Sequence, residues 1–385
     1  METRSTSKTA SSDDRTNRLQ RFGDWGPINA EGPIPELFYY GKGVAERLAV
    51  VGDPIAYVRM EWTKYGLLME GLRAFLTRRL GDSMPAGDRG EMQHLLASPR
   101  EWKDRDRGYF SDDEDNYSAI RLFTSDSGYK IFQIVDRILR RNEGTDSQQM
   151  EELRNAVFLV ELVNVDLFNY VSITPEANSF QGVVYRALAA SNEQLEAFKA
   201  LAARPIPERF WAIPLALISA SRKQEVALRF AEPGSHLFLW RIHVFELETE
   251  LLQIYRETFT SSVVSTICAV PVAELSQFPE EDEVILRGPL FQLVRMHEEN
   301  REGVGHAHVM DSMILSTNRD HPSTMELGET EGIRAKNLIA CLVGIGRAKA
   351  CKKLAEDFGL FSEVPLYEQI FQEETNKLKN MVDDR

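Results

Sequence analysis

Two carboxylates, Glu281 and Glu283, stand two residues apart in Gln277-Phe-Pro-Glu-Glu-Asp-Glu-Val-Ile-Leu-Arg287, at the head of an apolar run. On an extended strand, residues i and i+2 point to one face, so this spacing predicts two side chains projecting together. Paired carboxylates in a cleft push one pKa upward and suit proton transfer or the stabilisation of a cation. An acidic loop leading into a strand carries the same letters, so the pair alone assigns no chemistry. Upstream, Val183-Val-Tyr-Arg186 ends a strand-like run on an arginine. A guanidinium there grips a pyrophosphate bidentately or serves a structural ion pair. Ile218-Ser-Ala-Ser-Arg222 places Ser219 and Ser221 two apart, ahead of a helix that packs Val226, Ala227 and Phe230. Those hydroxyls fit a ligand site, or an edge strand and an N-cap.

The remaining chemical candidates are sparse. His306-x-His308, followed by Asp311 and preceded by His297, has no cysteine partner and no second spaced pair, so no metal site is assigned. Gly344-Ile-Gly346 lacks the third glycine of a dinucleotide fingerprint and lies in a helix-like segment. Cys268, Cys341 and Cys351 are odd in number and show no CxxC spacing, which reads as three free thiols in a reducing compartment. The acidic run Ser111-Asp-Asp-Glu-Asp-Asn116 lacks the fixed glycine and distal Glu of a calcium loop and reads as a solvated linker.

The elements that must position these residues follow from periodicity. Leu67, Leu68, Leu72, Phe75, Leu76 and Leu80 fall at helical spacing, as do Ile131, Ile134, Val135, Ile138 and Leu139. A further helix is expected from Gln148 to Phe168, and shorter ones over Tyr117–Phe123 and Leu195–Ala203. Strands are expected over Gly182–Ala187, Ile213–Ser219, His236–Phe245, Glu283–Leu286 and Phe291–Met296. Helices followed by several strands make an α+β class. The expected divisions are a disordered polar tail at 1–28, an N-terminal extension at 29–116, a catalytic domain at 117–297 and a helical C-terminal extension at 298–385. In the last, Ile333–Phe358 reads as a helix stopped by Gly359, with basic residues on a solvated face.

The chain has 385 residues and a formal net charge of −14, with a sequence pI near 5.1. Nucleic acid and anionic membrane demand a basic surface, so neither is expected as a bulk partner. A small anion held by a local arginine remains compatible. The apolar run at 338–345 is far shorter than the roughly 18 residues needed to span a bilayer. The opening residues hold no apolar stretch of the secretory kind, so a cytoplasmic location is expected.

Arginine on one strand, Ser-x-Ser on the next, then Glu-x-Glu on a later strand resembles the R-S-E class of arginine-specific mono-ADP-ribosyltransferases. The resemblance runs from the Ala119-Ile120 … Ser127-Gly-Tyr129 segment to Phe291-Gln-Leu-Val294, in the family's order and spacing. It implies a split two-sheet β core with an N-terminal helical lobe, and NAD as co-substrate without a metal. Carried over, Arg186 binds the NAD phosphates, and Ser219 supports the nicotinamide ribose and steadies the catalytic Glu283. Ser221 joins the cofactor-binding set. Glu281 positions and deprotonates the acceptor, and Phe278 sits where the family's recognition turn carries an aromatic. The implied partner is a protein with an exposed arginine. The alternatives are an NAD glycohydrolase and a non-catalytic protein that keeps the fold. Three positions depart from the family pattern: Ala187 replaces a glycine, Ala220 stands between the serines, and Leu217 replaces an aromatic.

Overall fold

In the computed structural model, the described residues are 64–80, 86–97, 117–140, 147–173, 180–204, 209–212, 217–231, 236–258, 269–287, 290–301, 305–315 and 329–383. The acidic run at 111–116, Cys268, the polar tail and most of the N-terminal extension lie outside them. Among the described residues, five helices come first: α1 (Tyr65–Leu80), α2 (Ala86–Ala97), α3 (Ser118–Phe123), α4 (Asp126–Arg140) and α5 (Ser147–Ile173). Strand β1 (Gly182–Ala190), helix α6 (Asn192–Ala202), β2 (Phe210–Ala212), β3 (Leu217–Ser221), α7 (Gln224–Arg229), β4 (His236–Phe245) and α8 (Thr249–Thr258) follow. The chain continues with β5 (Ala269–Pro271), a 3-10 turn (Pro279–Glu281), β6 (Glu283–Arg287), β7 (Leu290–Arg301) and β8 (Gly305–Leu315). It closes with α9 (Glu329–Asp357) and α10 (Val364–Asp383). The class is α+β, as expected.

Helix α5 is the axis of the helical lobe. It buries Leu153, Val157, Val160, Val163 and Leu167, and also Phe158, Leu159 and Leu162. A helix buried on most of its sides must be surrounded, and α1, α3 and α4 pack around it. Leu72, Phe75 and Leu76 of α1 and Leu95 of α2 enter the same core, so residues before the boundary drawn at 116 pack with those after it. Gly128 shows how tightly the α3–α4 corner is wound. A Cβ there would stand 1.6 Å from the Leu122 carbonyl oxygen, a distance that only glycine avoids.

Among the described residues, the eight strands belong to one hydrogen-bonded sheet, in the order β2-β7-β8-β4-β1-β3-β6-β5. The expected two sheets are therefore two halves of one. Between β1 and β3 the ladder has one register pair, Tyr185 with Ser221, whereas β1 and β4 pair along the whole of β1. That single pair is the seam between a large half (β2-β7-β8-β4-β1) and a small half (β3-β6-β5). Val184 and Leu188 of β1, Trp240 of β4 and Met310 of β8 share a buried cluster with Ile218 and Ala220 of β3 and Val284 and Leu286 of β6. The outer face of the small half, with Leu217 and Ile285, joins the helical lobe.

The C-terminal region departs from expectation. Residues expected to return to helix from 298 instead complete β7 and form β8, which lies inside the sheet between β7 and β4. From Ala307 to Leu315, β8 is buried on both faces, so it lacks the in–out alternation that marks a half-buried strand. Helices α9 and α10 cover the opposite face of the large half through Val294, Met313 and Leu315. Gly359, at φ +70°, ends α9 as expected, with Leu360 N–H donating to Ala355 O at 2.7 Å and Gly359 N–H to Glu356 O at 3.1 Å. Among the described residues, no helix is long and apolar enough to cross a membrane.

Candidate active site

The seam between the halves gathers the residues singled out by type. Arg186 lies on β1, Ser219 and Ser221 on β3, and Glu283 at the first position of β6. The β3–β6 register sets Ser219 opposite Ile285 and Ser221 opposite Glu283, which puts both hydroxyls on the face that carries Glu283. Ser219 Oγ donates to Glu283 Oε1 at 2.5 Å, and Arg186 Nη1 donates to the Ser219 carbonyl at 2.7 Å. Arg186, Ser219, Ser221, Glu281 and Glu283 are all buried. A guanidinium and two carboxyl side chains held this far from water imply strong mutual ordering.

One expectation about the carboxylates is corrected. Glu281 and Glu283 do not occupy one strand. Glu281 closes the 3-10 turn, Asp282 takes a left-handed conformation at φ 52° and ψ 53°, and β6 begins only at Glu283. The cause is local: Pro279 fixes φ at the turn's first position and has no N–H for a strand ladder. The i, i+2 rule for strands therefore does not relate the two side chains.

The turn is clamped by residues that sequence reasoning passed over. Arg222 Nε donates to Asp282 Oδ1 at 2.7 Å, and Arg222 N–H donates to the Asp282 carbonyl at 3.1 Å. Lys223 Nζ reaches the Glu280 carbonyl at 2.9 Å, and Val272 N–H the Glu283 carbonyl at 2.9 Å. Ser221 Oγ donates to the Glu281 carbonyl at 2.6 Å and accepts from Lys223 N–H at 2.9 Å, so Ser221 holds the carboxylate turn in place. Phe278, half-buried, directly precedes the turn, its N–H donating to Ser276 Oγ at 3.1 Å. The signal for Arg222 and Asp282 was an acidic residue between two glutamates and a basic residue after Ser221. Only the fold shows that they meet.

The histidine group divides by strand parity. Asp311 lies on the face of β8 opposite to His308, where it pairs with Arg241 at 3.2 Å, Arg295 at 2.6 Å and His243 at 3.3 Å, with His297 Nδ1 at 3.6 Å. Glu299 joins that network through Arg241 at 3.3 Å, His297 at 2.8 Å and Arg301. Burial alone would raise both carboxyl pKa values. For Glu299, hydrogen bonds from His297 and Arg301 and the charges of Arg301 and Arg241 prevail and bring it down to about 2. For Asp311, hydrogen bonds from His243 and Arg295 and the charges of Arg241 and Arg295 likewise hold it below the ordinary carboxylate value. His306 and His308 lie on the other face, with Glu298. Burial holds His308 below the ordinary imidazole value, against the pull of the Glu298 charge.

No protein-family profile matches this chain, and no curated protein matches it. Among solved structures, the chain is similar to the ADP-ribosyltransferase HopU1 of Pseudomonas syringae pv. Tomato DC3000. The identity is 15% and the TM-score 0.35, over 60% of this chain and 98% of that one. It is also similar to Plx2a, an ADP-ribosyltransferase toxin from Paenibacillus larvae, at 12% identity and TM-score 0.28, over 60% of this chain and 96% of that one. An ADP-ribosyltransferase from Clostridium botulinum matches at 13% identity and TM-score 0.28, over 52% of this chain and 85% of that one. These are likenesses of chain path; any chemistry rests on the side chains at the seam.

Proposed function

We propose that the chain transfers ADP-ribose from NAD to an arginine side chain of a protein and releases nicotinamide. The observation that carries this reading is the relay across three strands: Arg186 to the Ser219 carbonyl, and Ser219 Oγ to Glu283 at 2.5 Å. An arginine, a hydroxyl and a carboxylate in buried contact match the needs of a dinucleotide whose glycosidic bond must break.

The chemistry follows from those groups. Cleavage of the C1′–N bond sends its electron pair to the pyridinium nitrogen, so nicotinamide departs neutral and positive charge develops on the ribose. Glu283 stabilises that cation, as carboxylates do in glycoside hydrolysis. Arg186 holds the anionic pyrophosphate, and Ser219 fixes the Glu283 carboxylate. The acceptor guanidinium is protonated at neutral pH, with a pKa above about 12, and its nitrogen attacks C1′ only as a proton leaves. Glu281 takes that proton as the new C–N bond forms. Phe278, beside the turn, is assigned to acceptor recognition, and Ser221 acts through the turn backbone to position Glu281.

The test is incubation of the full chain with labelled NAD and agmatine, a small guanidinium acceptor. The expected products are nicotinamide and ADP-ribosyl-agmatine. Free ADP-ribose without adduct would assign the chain as an NAD glycohydrolase instead, and absence of NAD binding by calorimetry would leave a non-catalytic protein. Glu281→Gln is expected to abolish the adduct while nicotinamide release continues. Equal loss of both products would overturn the role given to Glu281.

A further inference from the structure

Three potential metal ligands that the seam does not use converge at the far end of the large half-sheet. Glu298 on β7 is the register partner of His308 on β8, and His306 precedes His308 by two residues on the same face. Glu298 Oε2 lies 3.4 Å from His306 Nε2, and Glu298 Oε1 lies 3.4 Å from His308 Nδ1. One ligand atom from each residue falls within 4.8 Å of the other two. Around a tetrahedral zinc ion, donors at about 2.0–2.1 Å from the metal stand about 3.3–3.4 Å from one another. Each imidazole nitrogen therefore already stands at that spacing from one oxygen of the Glu298 carboxylate, and a small carboxylate rotation brings a single oxygen toward both.

The surroundings orient the ligands. His306 Nδ1 sits 3.3 Å from Asn300 Oδ1, and an N–H donated there leaves the lone pair on Nε2, the atom facing Glu298. The buried His308 ring packs on Phe238 at 5.2 Å between centroids and stands edge-on to His236 at 5.5 Å. His236 Nε2 is held 2.6 Å from Asn192 Oδ1, which places it outside the ligand set. Glu298 and His306 are 58% and 50% exposed, so an ion enters from solvent and keeps a position for water.

We propose that Glu298, His306 and His308 bind one divalent transition-metal ion of the zinc class, with water as the fourth ligand. Two imidazoles and a carboxylate are the donor set that such an ion prefers. The ion ties β7 to β8 and lies apart from the Arg186–Ser219–Glu283 relay.

The test is calorimetry of the metal-stripped full chain with Zn2+, together with the visible spectrum on adding Co2+. One equivalent of Zn2+ and a tetrahedral Co2+ spectrum are expected. Glu298→Gln, His306→Ala and His308→Ala should each weaken Zn2+ binding at least tenfold and remove the spectrum, while His236→Ala should leave both in place. Glu298 and His306 are exposed, so their variants retain the native circular dichroism and keep the test interpretable if His308→Ala does not fold. No uptake of Zn2+, or uptake and a Co2+ spectrum unchanged in Glu298→Gln and His306→Ala, would overturn the site.

Discussion

Ser219 is the residue on which the seam turns, because its side chain and its backbone serve different partners. Its hydroxyl donates to Glu283, and its carbonyl accepts from Arg186. Ser219→Ala deletes the first bond and keeps the second. The expected result is a fall in kcat of roughly 10- to 100-fold, the usual cost of a misplaced catalytic group, with little change in KM for NAD. Steady-state nicotinamide release separates the two parameters; a rise in KM alone would assign Ser219 to binding. Arg186, Ser219 and Glu283 were legible as candidates because each is a polar residue in or bordering an apolar run, in an order that resembles a known family. Arg222 and Asp282 were not, since a surface charge pair leaves no pattern until β3 and the carboxylate turn are brought together. Glu281 was legible by type and misplaced by geometry, because Pro279 makes a turn where the letters suggested a strand.

At the scale of elements, periodicity found α4, α5, β1, β4 and α9, whose apolar residues recur at the spacing their structures require. It missed β8, which is buried on both faces and so shows no alternation. The corner between α3 and α4 is fixed by backbone contact rather than by a side chain. Gly128→Ala would drive a Cβ to 1.6 Å from the Leu122 carbonyl oxygen, and the corner must open to admit it. Overpacking of this kind costs about 1–3 kcal/mol or more. A lowered denaturation midpoint with an unchanged m value is the expected outcome, and a midpoint equal to that of the parent chain would contradict the contact.

For the whole molecule, the large half-sheet is a plate with different tasks on its two faces. One face shares a buried cluster with Ile218, Ala220, Val284 and Leu286 of the small half. The other carries the Asp311–Glu299 network and the helices α9 and α10, with the Arg295 guanidinium 3.8 Å from the centre of the Phe358 ring. Both carboxyl pKa values are depressed in the fold, so their stabilisation is complete above the ordinary carboxylate range and is lost as pH falls. For Glu299 the loss runs from about 4.5 down to about 2. Thermal melts across that window should show a falling midpoint, and the fall should be smaller in Asp311→Asn, which is itself destabilised by about 3–5 kcal/mol at neutral pH. Identical acid profiles would contradict the role of the network. The α+β class was legible from the order of helices and strands. The folding of one sheet into two halves was implied by the resemblance alone and not by periodicity, because it depends on a single register pair, Tyr185 with Ser221. That seam bears the central claim, and the most direct measurement is nicotinamide release from NAD by the full chain and by Glu283→Ala. Measurable release by the parent chain, reduced about 10²–10³-fold or more in the variant, is predicted; no release by the parent chain, or equal rates for the two, would contradict it.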